Sequence, residues 1–181
     1  VRFHMVYWPA FLMSANLPLP KQVFGHGFLL NRGEKMSKSL GNVVDPMALA
    51  DQFGVDALRY YLLREVSFGQ DGTYAAEAIV RTANADLANS FGNLAQRSLS
   101  MIFKNLEGII SVDYSPEQDD IDLLADLGNM AAVRLPRESG QLAFSVGIED
   151  WIRAVFACNQ YVDTQAPWAL RKTDPERMRA V

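Results

Sequence analysis

What this chain has little of narrows it first. It carries one cysteine, Cys158, in 181 residues. That excludes an internal disulfide framework and a CxxC zinc knuckle within these residues, and it fits a reducing, cytoplasmic setting. No run of about 18 apolar residues occurs, so no transmembrane helix and no membrane partner are expected. The opening residues lack the basic start, apolar core and small-residue cleavage site of a signal peptide. The chain begins at Val1, in mid-pattern and without an initiator Met, and is expected to be a piece of a longer polypeptide. Histidine is scarce too, with only His4 and His26. Cys158 lies far from both in an apolar helical stretch, so no Ser/His/Asp or Cys/His nucleophile set is evident and Cys158 reads as a core residue. The GxxxxGKS or GxxxxGKT phosphate loop is absent, as is a dinucleotide fingerprint. There is no internal repeat.

What is present begins with a charge asymmetry. The chain is 49% hydrophobic with a formal charge of −4. Residues 1–44 nevertheless carry Arg2, Lys21, Arg32, Lys35 and Lys38 against Glu34 alone. A cationic segment on an acidic chain suggests one anionic ligand at one place, but charge alone favours a solvated basic loop. Two of these cations stand in Lys35-Met36-Ser37-Lys38-Ser39, bounded by Gly33 and Gly41. Lysines at i and i+3 give the charge density to neutralise a pyrophosphate, each as a mobile point charge with three donors.

Along the chain, residues 3–15 (FHMVYWPAFLMSA) read as a helix on which His4 and Trp8, four apart, share a face. On residues alone His4 is more often a satisfied core histidine than a ligand group. Leu17-Pro18-Leu19-Pro20 breaks the chain into a loop. Residues 22–30 (QVFGHGFLL) read as an extended, largely buried segment, with Gly25 and Gly27 marking close approach. Asn31-Arg32-Gly33 is a turn, so residues 34–39 are expected in a loop at a sheet edge. Asp45 suits an N-cap and Pro46 the first helical position. A further helix runs from Val55 to Glu65, and a glycine-bearing linker over 68–73 marks the expected domain boundary.

After Thr73 the pattern is all helical, so the fold class is α/β followed by all-α, divided as 1–73 and 74–181. Over 74–108, Val80, Ala83, Leu87, Phe91, Leu94, Ile102 and Leu106 form the expected buried stripe, with Asp86, Asn89, Ser90, Asn93 and Arg97 on the solvated face. Ser115 is expected to cap the next helix, and Leu135-Pro136-Arg137 to end or kink it. A third long helix is expected over 144–166, closed by Pro167 ahead of Trp168.

The string KMSKS resembles the second signature of class I aminoacyl-tRNA synthetases. Its flanks, FHMVYWPAFLMSA, VFGHGFLLNRGEKMSKSLGNVVDP and FGVDALRYYLLRE, together with NADLANSFGNLAQR and YVDTQAPW, resemble the methionyl-tRNA synthetase family over essentially the whole chain. The resemblance implies the C-terminal part of a Rossmann-like catalytic domain followed by a helical anticodon-binding bundle. It implies ATP-dependent activation of methionine and its transfer to tRNA(Met), with Mg²⁺ arriving on ATP. It assigns Lys38, supported by Lys35, to the leaving pyrophosphate. It assigns Ser37, Ser39, His26 and Gly27 to ATP, His4 and Trp8 to the methionine pocket, and Asn93, Arg97 and Trp168 to the anticodon. The family's HIGH-type signature and its inserted domain, where many members carry zinc, are absent from these residues, so the chain alone is expected to be inactive. The alternatives are a class I synthetase for leucine, isoleucine, valine or cysteine, and a non-catalytic tRNA-binding module. The oligomeric state is open.

Overall fold

The structure is a computed structural model that describes residues 2–110 and 114–181. It is mostly helical around one small sheet. A π-helical turn, Phe3–Tyr7, runs into α1, Trp8–Ser14. The expected extended run over 22–30 is corrected: only its end pairs, as β1 (Leu29–Asn31), and residues 22–28 are irregular and mainly exposed. Two glycines within five residues leave few side chains to pack there, which weakens a ladder.

Strand β1 turns through Arg32 and Gly33, both at positive φ (52° and 81°), into β2, Glu34–Lys35. That tight two-residue reversal lets pairing resume at once. Lys35 therefore lies in the ladder opposite Leu30, not in the loop as expected. A 3₁₀ turn, Lys38–Leu40, follows.

The chain then crosses through α2 (Pro46–Phe53) and α3 (Val55–Glu65) to β3 (Gly72–Tyr74), which pairs parallel to β1. A parallel neighbour requires such a crossover. Asp45 caps α2 by accepting from the Met47 amide at 2.9 Å, with Pro46 at the first helical position. Leu49, Leu58, Tyr61 and Ile79 form the core between α2, α3 and α4 (Ala76–Thr82). This core and strand β3 tie the residues on either side of 68–73 together.

Helix α4 continues as a π-helical stretch, Ala83–Gly92, into α5, Asn93–Leu106. Here the expected faces are corrected. Val80 and Phe91 are 45% exposed, whereas Ile79, Thr82 and Ser90 are buried. The wider π turns rotate the helix away from a 3.6-residue stripe. The inward polar groups find partners. Asp86 accepts from the Tyr60 hydroxyl (2.8 Å) and from Arg64 Nε (3.4 Å), and Asn159 Nδ2 donates to the Ser90 carbonyl (3.2 Å).

Helix α6 spans Gln118–Asn129. Its cap is Glu117, not Ser115: Glu117 and Asp120 exchange side-chain-to-backbone bonds as a capping box. Pro136 does not end the helix. A π turn, Met130–Arg134, precedes it, and α7 (Leu135–Gly140) carries on with helical backbone. The π turn relieves the ring clash with the preceding carbonyl and leaves the missing amide without consequence.

Helix α8, Phe144–Gln165, closes at Ala166 (φ 45°) ahead of Pro167, close to the expected bounds, and Ile152 and Val155 are buried on it. Helices α9 (Pro167–Thr173) and α10 (Pro175–Ala180) follow. Arg177 of α10 donates to Asp120 in two hydrogen bonds, one of 2.7 Å, and to Gln165 at 2.9 Å; Tyr161 also donates to Asp120. This buried group locks α10 onto α6 and α8. The hydrogen bonds from Arg177 hold the Asp120 carboxyl below the usual carboxylate range, and burial pushes the Tyr161 hydroxyl up to about 12.

Among the described residues, no helix is long and apolar enough to cross a membrane, and no three His, Cys, Asp or Glu side chains gather as metal ligands.

Candidate functional site

The lysine segment is a clamped turn. Strand β2 ends at Lys35, which leaves the next backbone groups without a ladder. The Asn42 side chain takes that place: its Nδ2 donates to the Lys35 carbonyl (3.1 Å) and its Oδ1 accepts from the Ser37 amide (2.8 Å). Asn31 Nδ2, at the end of β1, donates to the Asn42 carbonyl (2.8 Å). The Ser37 and Ser39 hydroxyls share a hydrogen bond of 2.7 Å, and the Leu40 amide donates to the Ser37 carbonyl. Gly41, at φ 64°, closes the turn. Lys38 opens the 3₁₀ turn and is exposed. Lys35 places Nζ 4.3 Å from the centre of the Phe28 ring, a cation–π contact. Two exposed ammonium groups and two hydroxyls thus sit within five residues of one another on a pinned backbone, suited to a polyanion.

Below it, the 26–28 segment folds against residues 68–71. His26 Nδ1 donates to the Gly27 carbonyl (2.6 Å), and its ring meets Phe68 edge-on at 5.7 Å. The Phe28 amide donates to Asp71 Oδ1 at 2.7 Å. A Cβ at position 27 would fall on the Gln70 carbonyl oxygen, so only glycine fits. His26, Gly27, Phe28, Leu62, Val66 and Phe144 border a cavity of about 380 Å³. The close approach expected at Gly27 is therefore made by backbone.

His4 and Trp8 share one continuous helix, His4 in its π turn and Trp8 as the first residue of α1. Both are exposed, and among the described residues this helix packs extensively on no other element. Phe3 and Phe11 are 73% and 70% exposed. The structure does not gather His4 and Trp8 with the lysine turn into one enclosed pocket.

At the other end, Arg97 of α5 is ion-paired with Asp163 of α8, and its guanidinium lies 5.5 Å from the Trp168 ring centre. The ring is 49% exposed. Arg97 and Trp168, 71 positions apart in sequence, are thus brought together beside an apolar cavity of about 460 Å³ that Met101, Ile102, Val162 and Pro167 help to line. Asn93 lies one turn before Arg97 and is exposed. The arrangement offers a stacking surface and a planar set of donors to unstacked bases.

Sequence reasoning missed Asn31, Asn42, Phe28 and Asp163. Asn31 and Asn42 flank the lysines as turn-type residues, a signal that was visible. Asp163 pairs across 66 positions, for which nothing local speaks.

The family model described as "tRNA synthetases class I (M)" matches residues 1–99, and the chain belongs to that family. The Methionine--tRNA ligase of Brucella suis biovar 1 (strain 1330) is 56% identical over 180 residues, covering 99% of this chain and 35% of that protein. The Methionine--tRNA ligase of Rhizobium meliloti (strain 1021) is 54% identical over 181 residues, covering 100% and 35%. A structure of Mycobacterium tuberculosis methionyl-tRNA synthetase in complex with methionyl-adenylate superposes with a TM-score of 0.89 at 51% identity, over 98% of this chain and 36% of that one. The chain thus spans about a third of the length of the relatives it matches.

Proposed function

We propose that a protein containing this chain is a methionine–tRNA ligase. Residues 1–73 are the C-terminal part of its Rossmann-like catalytic domain, and residues 74–181 begin its helical anticodon-binding domain. The observation that carries the reading is the pinned Lys35–Ser39 turn, in a chain of the class I synthetase family whose relatives above are named for methionine.

In the first step a methionine carboxylate oxygen attacks the α-phosphorus of Mg²⁺–ATP. The bond to the β-phosphate bridging oxygen breaks, leaving methionyl-adenylate and pyrophosphate. Lys38, with Lys35, stabilises the charge on the departing pyrophosphate, where fixed cations act most on the transition state. Ser37 and Ser39 shape the turn and donate to phosphate oxygens. His26 and Gly27 lie on the adenosine side. His4 and Trp8 line the methionine pocket; their exposure, with that of Phe3 and Phe11, supports a face that the rest of the protein covers. In the second step a hydroxyl of the terminal ribose of tRNA(Met) attacks the methionyl carbonyl and AMP leaves. Asn93, Arg97 and Trp168 read the anticodon. The enzyme works in the cytoplasm with the rest of protein synthesis.

Amino-acid-dependent pyrophosphate exchange by the full-length protein tests this. Exchange driven by methionine and not by leucine, isoleucine, valine or cysteine is the expected result. Exchange driven by one of those instead refutes the methionine assignment, and no exchange with any refutes the enzyme reading.

A further inference from the structure

We propose that Asn42, seated by Asn31, is a positioning residue for pyrophosphate departure, an inference that rests on the role given to Lys38 above. Strand β2 stops at Lys35, so no strand pairs with the Lys35 carbonyl and the Ser37 amide. One carboxamide serves both, donating to the first and accepting from the second as a peptide group of a neighbouring strand would. A carboxylate cannot donate and a hydroxyl is too small to span both groups, whereas the planar carboxamide carries its donor and acceptor side by side.

The amide is itself anchored, since the Asn42 carbonyl accepts from Asn31 on the sheet. The chain of contacts runs from β1 to Asn31, to Asn42, to the backbone of residues 35–37, and so to the 3₁₀ turn that begins at Lys38. Asn42 touches no part of the substrate in this scheme. It sets where Lys38 starts, and a shift of about 1 Å in a catalytic group costs up to roughly 100-fold in rate. Removing Asn42 therefore removes part of what Lys38 does, and does nothing to methionine binding.

The test is pyrophosphate exchange by the full-length protein in a double-mutant cycle of Asn42→Ala and Lys38→Ala. Asn42→Ala is expected to lower kcat roughly 10- to 100-fold with KM for methionine unchanged, and Asn31→Ala to lower kcat less. In the Lys38→Ala background, Asn42→Ala should cost less than 3-fold more, because the two act as a unit. Full multiplication of the two effects, or a rise in KM for methionine in place of the kcat loss, overturns the proposal. Wild-type kcat in Asn42→Ala beside a slow Lys38→Ala overturns it alone. Wild-type kcat in both overturns the role of the lysine turn as well.

Discussion

Lys38 stands on a three-residue 3₁₀ turn tied to the sheet by the amides of two asparagines, in a segment whose side chains are mostly half-buried or exposed. Arg97 stands on a 14-residue helix, fixed by an ion pair to a second helix and by the face of Trp168. Nearby, Asp120 and Arg177 are buried with three helices around them. The first region is held by neutral hydrogen bonds, each worth about 1 kcal/mol net. The second is held by charges: the exposed Arg97–Asp163 pair and the buried Asp120–Arg177 pair, whose separation would strand an unpaired ion in the interior. Under the proposed function, the asparagine amides hold the lysine turn in place for pyrophosphate departure without burying any charge. A surface that reads bases gains from being rigid before they arrive.

If that contrast holds, the largest stability loss comes from the helical region. Asp120→Ala leaves Arg177 buried without its carboxylate and is expected to cost about 3–5 kcal/mol in urea unfolding of the full-length protein. The same pair dictates a pH response. The folded pKa of Asp120 is depressed below its unfolded value, so its contribution is complete above about pH 5 and fades as pH falls through the carboxylate range. The midpoint of the wild-type protein should fall on acidification below that range, and part of that fall should be missing in Asp120→Asn.

Next is Gly27→Ala, expected to cost about 1–3 kcal/mol because the methyl group displaces the Gln70 carbonyl. Its effect should appear as local opening around residues 26–28 and 68–72 in hydrogen exchange, with the helical region unchanged.

Smaller still is Tyr60→Phe. It removes one hydrogen bond to Asp86 at the junction of α3 with the π-helical stretch, and is expected to cost about 1–2 kcal/mol by thermal or denaturant unfolding. A loss as large as that of Asp120→Ala would erase the contrast between a charge-locked region and its neighbours.

The two regions also differed in how far the sequence revealed them. Helix α8 and the Asp45-Pro46 start of α2 were legible because apolar spacing and cap chemistry are local. The buried face of residues 79–90 was not. A π-helical stretch leaves no mark in a 3.6-residue pattern, and Asp86 looks like a solvent-facing acid until Tyr60 and Arg64 are placed beside it. Pro136 does not end the helix for a related reason, since a π turn over Met130–Arg134 precedes it. In the lysine segment the two lysines and two serines were visible as a string. The position of Lys35 in the ladder depends on the two-residue reversal at Arg32-Gly33, and that of Asn42 on the 3₁₀ turn and Gly41, which bring residue 42 back against residues 35 and 37. Arg97 and Trp168 were singled out by family resemblance, and the structure sets them side by side. Asp163, which joins them, needed the packing of α5 on α8.

Under the proposed function, activation of methionine and recognition of tRNA reside in these two regions, the lysine turn and the Arg97–Trp168 face. This division is tested most directly by measuring methionine-dependent pyrophosphate exchange and tRNA(Met) affinity on the same two full-length variants. Lys38→Ala should slow exchange about 100-fold, the scale of losing one preorganised charge-stabilising group, with tRNA affinity within about 2-fold of wild type. Trp168→Ala should leave exchange intact and weaken tRNA binding by about 1–3 kcal/mol, the scale of one stacking platform. Slowed exchange in Trp168→Ala with normal tRNA binding, or weakened tRNA binding in Lys38→Ala with normal exchange, would contradict the account.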